Sequence, residues 1–325
     1  PRLYKTTDYG ASWQRIDASF PQDQITRVIR ADAQAPGLLF VGSEGGIFVS
    51  LDDGASWQKL QSNLPVVPVY DLKIKGDDLV VATHGRSFWI LDDITPLRHA
   101  PSPSLGEGRG EGQGLFPPRT TIRYTLGWGT VMARGKDKNY MMGLGANFTF
   151  TEEKGPNNEP IRKILDGGEN PPAGVIIYYT LPTTIHAVEP SQSPNLSISL
   201  ELLDSSGKTI KTIKPKPSGE PDKKNNPDPT ERFLPVAPGL NRFVWDMRYP
   251  EIVRLPGEPF TEKANTGAIA ALGNYTVKLT VGEQSWTEAF EIVADPRITA
   301  SQEDLQAQFE LWQAIVDKIS AIHST

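Results

Sequence analysis

An internal repeat constrains this chain more than any other feature. Residues 2–16 read RLYKTTDYGASWQRI and residues 46–60 read GIFVSLDDGASWQKL, so the pentapeptide GASWQ returns 44 residues later in the same setting. A third, more divergent copy follows 40 residues further on, with Leu39 to Gly46 aligned on Leu79 to Arg86 and Phe48 to Asp53 on Phe88 to Asp93. A period of about 40–45 residues with several short strands per unit is the spacing of a β-propeller blade. The predicted strands of one unit are Thr26 to Arg30, Leu38 to Ser43, Gly46 to Leu51 and Ser56 to Leu60. Val69 to Lys73, Leu79 to Thr83 and Ser87 to Leu91 repeat the first three, and the first copy supplies only its two outer strands. Two or three such units cannot close a ring, so an open sheet edge is expected.

Composition narrows the function classes. With no cysteine, a disulfide scaffold, a zinc finger and a thiol nucleophile are excluded. A net charge of −6 offers no electrostatic footprint for nucleic acid or an anionic membrane. No apolar run approaches the roughly 20 residues of a membrane span. The 29 glycines and 28 prolines mark a turn-rich chain, which agrees with β architecture. The four histidines, at 84, 99, 186 and 323, show no metal-ligand spacing, and no phosphate loop or nucleophile elbow is present. No metal and no cofactor are expected. The chain opens inside a strand-like pattern at Pro1-Arg2-Leu3-Tyr4 and closes in an apolar helical stripe. That reads as a piece of a longer exported protein, extracellular or periplasmic, with the remaining propeller blades elsewhere in the parent chain.

The turns between third and outer strands carry the sharpest signature. Thr6, Asp8, Gly10, Ser12 and Trp13 in the first copy, and Ser50, Asp52, Gly54, Ser56 and Trp57 in the second, both fit S/T-x-D-x-G-x-S/T-W. The Asp can accept the turn's own backbone N–H groups, the Gly can take a positive φ, the hydroxyls can close the loop, and the Trp can pack between blades. The ligand-binding candidates are His84, Arg86 and Trp89. His84 and Arg86 sit in the loop between second and third strands, at one face of the ring, where they and the nearby Trp89 could grip a sugar hydroxyl or a carboxylate. The plainer reading of His84 and Arg86 is that they brace the last blade.

These motifs resemble the Asp-box, or BNR, repeats of sialidase-like and sortilin-like β-propellers. The segment THGRSFWILDDITPLR at 83–98 is similar to the last blade of bacterial proteins of that group described as glycosyl hydrolases. GENPPAG at 168–174, GLNRFVWDMRYP at 239–250 and GNYTVKLTVG at 273–282 resemble the region that follows it. The resemblance implies an Asp-box on the rim, away from the substrate pocket, so that Asp8 and Asp52 read as turn builders, not catalytic acids. It implies a propeller that binds glycans or peptides or, alternatively, a sialidase-like or xyloglucanase-like glycoside hydrolase with most of its active site in other blades. Hydrolysis needs two opposed carboxylates, or a Tyr/Glu nucleophile with an arginine cluster, and these residues do not assemble either.

The whole chain is expected to be all-β, with a C-terminal helix. The last propeller blades occupy 1–98, a low-complexity linker 99–119 and an irregular connecting region 120–173, with strands at Thr120 to Thr125 and Ala146 to Phe150. A fibronectin-III-like or immunoglobulin-like β-sandwich fills 174–295 and a helical segment 296–325. The sandwich strands are Val175 to Leu181, Leu196 to Asp204, Thr209 to Lys214, Asn241 to Met247, Asn274 to Val281 and Trp286 to Val293. A polar, Pro-rich surface loop at 215–232 interrupts them. Trp128 reads as a loop tryptophan, buried or at an interface, with sugar stacking the alternative. Phe243, Trp245 and Met247 should share a core face, leaving Asp246 and Arg248 as an exposed ion pair. In the helix Ser301 is the expected N-cap, and Leu305, Phe309, Trp312, Val316 and Ile319 form a seam for a partner helix beyond residue 325 or for the body of the protein. Sequons at Asn147, Asn195 and Asn274 matter only in a source that glycosylates secreted proteins.

Overall fold

The computed structural model describes residues 2–100, 114–124, 138–143, 146–158, 160–165, 167–168, 171–182, 197–217, 232–253 and 266–324. Trp128, Asn195 and most of the 100–118 and 215–232 segments lie outside these residues. The chain is mostly β-strand with a helix at its C-terminal end, and divides into two compact units, Pro1–Gly112 and Gln113–Thr325.

In the first unit β1 (Tyr4–Lys5) pairs with β2 (Gln14–Arg15). Four antiparallel strands follow in sequence order, β3 (Thr26–Ala31), β4 (Leu39–Ser43), β5 (Gly46–Ser50) and β6 (Gln58–Lys59). A three-stranded sheet comes next, β7 (Val69–Lys75), β8 (Asp78–Thr83) and β9 (Phe88–Leu91), and then a short helix α1 (Thr95–His99). The run LLFVGS at 38–43 is apolar without alternation because β4 is covered on both faces, the pattern of a doubly buried strand. On one face Leu39, Val41 and Phe48 meet Leu3, Ile16, Phe20 and Trp57. On the other, Leu38, Phe40, Ile47 and Val49 meet Val69, Leu72, Leu79 and Val81 of the next sheet.

Strand pairing corrects the expected alignment of the third copy. Val41 stands opposite Phe48, whereas Val81 stands opposite Trp89. Phe48 therefore corresponds to Trp89 and not to Phe88, and Ile47 and Val49 correspond to Phe88 and Ile90. The cause is loop length. Ser43 pairs with Gly46 around a two-residue turn, while the Thr83 N–H reaches the Ser87 carbonyl around three residues, His84-Gly85-Arg86. One inserted residue turns every following side chain to the other face.

In the second unit β10 (Gly114–Leu115), β11 (Thr121–Arg123), β12 (Asn139–Gly143), β13 (Ala146–Lys154) and β14 (Pro160–Ile164) precede the regular strands. The last three form a sheet of their own, more order than the sequence suggested for 120–173. β15 (Val175–Leu181), β16 (Ile198–Leu203), β17 (Thr209–Ile213), β18 (Gly239–Trp245), β19 (Gly273–Val281) and β20 (Gln284–Ala294) fall within a residue or two of the predicted strands. They build two sheets, in the orders β10-β15-β18 and β11-β20-β19-β16-β17. One core draws on both, with Val175, Ile177, Tyr179 and Trp245 from the first and Leu200, Leu202, Val277 and Leu279 from the second. α2 (Gln302–His323) ends the fold, and the Ser301 hydroxyl caps it by accepting the Asp304 N–H (3.1 Å) while the Asp304 carboxylate accepts the Ser301 N–H (2.9 Å). No helix among the described residues is long and apolar enough to cross a membrane.

Candidate functional site

The two GASW turns are alike bond for bond. In the first, the Thr6 hydroxyl donates to Asp8 (2.8 Å) and accepts the Gly10 N–H (2.8 Å), while the Ser12 N–H and hydroxyl both donate to Asp8 (2.8 and 2.6 Å). Ser50, Asp52, Gly54 and Ser56 repeat these four contacts at the same distances. Hydrogen bonds from the Ser12 hydroxyl, the Ser12 N–H and the Thr6 hydroxyl hold the Asp8 carboxyl down at about 2. At Asp52 burial pushes the other way, but donation from Ser56 and Ser50 outweighs it and the net shift is downward. Both carboxylates are committed to their own turns. The tryptophans differ: Trp57 is buried and donates its indole N–H to the Ile16 carbonyl (2.8 Å), whereas Trp13 stays exposed.

The opposite ends of the strands carry a different group. β3 and β7 each slip register one residue after their start, between Thr26 and Val28 and between Val69 and Asp71. The bulged residues are Arg27 and Tyr70, and bulges re-aim side chains in this way. The Arg27 guanidinium lies over the Tyr70 ring at 5.1 Å and pairs with Glu44 in the β4–β5 turn. The Tyr70 ring in turn lies 5.0 Å from His84, tilted by 35°. His84 is anchored through its backbone N–H on the Pro68 carbonyl (2.9 Å). Glu44, Arg27, Tyr70 and His84 thus form a continuous row across two sheets. Arg86 and His84 are exposed, and Trp89 is half-buried with its indole N–H on the Arg86 carbonyl (2.9 Å). Such a row offers a flat aromatic surface flanked by hydrogen-bonding cations, an imidazole and a carboxylate.

A cleft of about 280 Å³ lies at the far ends of β3 and β7, lined by Arg30, Asp32, Gln34, Lys73, Ile74 and Arg98. Arg98, from α1, is almost fully buried and grips Asp32 through Nε and Nη2 (3.1 and 3.0 Å) and Asp77 through Nη1. The other Asp32 oxygen accepts the Gln34 and Ala35 N–H groups (2.7 and 2.8 Å). Arg98 spends Nε, Nη1 and Nη2 on Asp32, Asp77 and the Gly76 carbonyl, so the triad serves as a clamp between two turns.

In the second unit Phe243, Trp245 and Met247 are buried together, with Trp245 5.9 Å from Tyr275 and 6.2 Å from Phe290. Asp246 and Arg248 do not form the expected exposed ion pair. Asp246 accepts the backbone N–H of Arg248 (3.2 Å), and the Arg248 guanidinium goes to the Gly267 carbonyl (2.9 Å) and over the Trp312 ring (5.6 Å). The α2 seam meets the body: Phe309 packs on Tyr249 (4.9 Å) and the Trp312 indole donates to Thr266 (3.3 Å).

Sequence reasoning passed over Arg27, Glu44 and Tyr70. The only signal was positional, because Arg27 and Tyr70 occupy the same place in successive units, second residue of the first strand. Arg98 had none, since its partners lie 66 and 21 residues away. No protein-family model, no curated protein and no solved structure matches this chain.

Proposed function

We propose that the first unit carries consecutive blades of an Asp-box β-propeller and that the strand ends bearing Arg27, Tyr70, His84 and Arg86 form a glycan-binding surface. The shared bulge supports this reading most directly. It brings an arginine and a tyrosine from neighbouring sheets against the exposed His84, in a place where packing alone requires no such row. A sugar ring would stack on Tyr70 and His84, with Arg27, Arg86 and Glu44 as hydrogen-bonding flanks. On the same reading the two sheets of Val175–Ala294 are a fibronectin-III-like or immunoglobulin-like sandwich. The parent protein would be exported, extracellular or periplasmic, with further blades completing the ring.

A glycan array probed with the chain, alongside Tyr70→Ala and His84→Ala, tests the proposal. Each substitution should weaken binding about tenfold through loss of ring contact. Glycan binding that survives both substitutions together would move the site elsewhere. Retention of peptides but no glycans would make this a peptide-recognition surface. Turnover of chromogenic glycosides by the parent protein would identify it as a hydrolase.

A further inference from the structure

α2 is apolar on two sides. Phe309, Trp312 and the buried Val316 belong to the side that faces the body. A second stripe, about a third of a turn away around the axis, consists of Ala307, Leu311, Ala314 and Ile315. All four are exposed, Leu311 at 66% and Ile315 at 49%. The polar side of the helix satisfies itself locally, since Gln306 donates to Glu310 (2.9 Å) and Gln313 to Asp317 (2.9 Å). A single exposed leucine is ordinary, so what matters is the pattern in which Leu311 sits.

That pattern is symmetrical about Leu311. Ala307 lies four residues before it and Ile315 four after, while Asp304 lies seven before and Lys318 seven after. Seven residues fall just short of two turns, so Asp304 and Lys318 stand about 20° to either side of Leu311 and roughly 10 Å from it along the axis. The stripe therefore keeps its apolar character on reversal and exchanges its two charges. Both charges are exposed. Asp304 accepts the Ser301 N–H through Oδ2 (2.9 Å), which leaves Oδ1 for a second donor. Lys318 has no ion-pair partner among the described residues.

We infer that this stripe is a two-fold contact with a second copy of the chain, α2 lying antiparallel on α2. Leu311 of each copy meets Leu311 of the other at the axis, and Ala307 of one lies opposite Ile315 of the other. Asp304 of each copy then faces Lys318 of the other, which forms two ion pairs across the contact. Charge selects this orientation, because a parallel pair in register would set Asp304 against Asp304 and Lys318 against Lys318. The small side chains of Ala307 and Ala314 let the helices approach to about 8 Å. One helix face is a small interface, so the dimer is weak, with a dissociation constant on the order of 100 μM. The inference concerns the second unit and is independent of the glycan proposal.

Sedimentation equilibrium of the whole chain tests this. The mass should be largely monomeric at about 10 μM and largely dimeric at about 1 mM. Leu311→Lys sets like charges against each other at the axis; at this exposed position it should leave the thermal transition in place and weaken the dimer more than tenfold. Lys318→Asp and Asp304→Lys, each alone, should also abolish the dimer, and the Ser301 hydroxyl keeps its bond to the residue-304 N–H in both. An equimolar mixture of these two variants should restore it, because each ion pair forms again with its signs exchanged. A monomer at about 1 mM overturns the inference, as does a dimer that Leu311→Lys leaves unchanged. Dimers of the single charge variants, or no recovery in the mixture, overturn the antiparallel register. A different protein captured on this face by a chain that stays monomeric overturns the second copy as its occupant.

Discussion

Gly10 and Gly54 hold the same place in two turns with the same hydrogen bonds, yet their surroundings differ. Both have positive φ, +97° and +90°. A Cβ at Gly10 would meet only the Trp13 ring at 3.8 Å, whereas one at Gly54 would stand 2.8 Å from Ile16 Cβ. Gly10→Ala should therefore cost about 1 kcal/mol, the backbone term alone. Gly54→Ala should cost about 2–4 kcal/mol because overpacking adds to it. Chemical denaturation of the two variants measures the gap directly. The turn carboxylates also predict a pH dependence. Asp8 titrates from an ordinary value of 3.8 down to about 2 in the folded chain, and Asp295, held by Arg297, falls to about 2 as well. A depressed folded value means that the unfolded chain binds protons first, so this stability is complete above the ordinary value and is lost as pH falls through the folded one. Melting temperature should decline between about pH 4 and pH 2. Asp8→Asn should flatten that part of the curve for the first unit.

At the scale of elements, α1 is too short to be stable alone, and Arg98 is what fixes it. Its guanidinium joins the turn after β3 to the turn after β7, with the Asp32 side chain fully buried beneath it. Arg98→Ala would strand that carboxylate without a counter-ion and should destabilise the first unit by about 3–5 kcal/mol. An equilibrium urea titration measures this, and a loss below about 1 kcal/mol would show that the clamp is solvated and weak. The bulges of β3 and β7 belong to the same scale. Sequence periodicity places both strands correctly, but a bulge leaves the apolar pattern readable on either side and shows only in the pairing register.

Across the whole molecule, the buried side chains sort into clusters confined to one unit or the other. Phe40 lies in the cluster joining the two larger sheets of the first unit, and Trp245 in the core of the second. Phe40→Ala and Trp245→Ala should each cost about 3–5 kcal/mol, and calorimetry should show each lowering the transition of its own unit. A single transition shifted equally by both would show the two units unfolding as one. The sequence by itself determined what short-range chemistry closes: the GASW turns, whose hydrogen bonds span at most four residues, the strands with clear alternation or doubly buried runs, and the Ser301 cap. Only the tertiary structure decided what depends on register and on contacts far apart in the chain. One extra residue in the His84 loop reversed the faces of β9 and turned Phe88 and Ile90 outward. The meeting of Arg27, Tyr70 and His84 required two sheets to stack with matching bulges. The direction of the α2 seam was settled by Tyr249 and Thr266, which an isolated helical pattern cannot name. Local hydrogen bonds are specified by neighbours within a few residues, whereas these contacts exist only after distant segments have been brought together at the entropic cost of closing long loops.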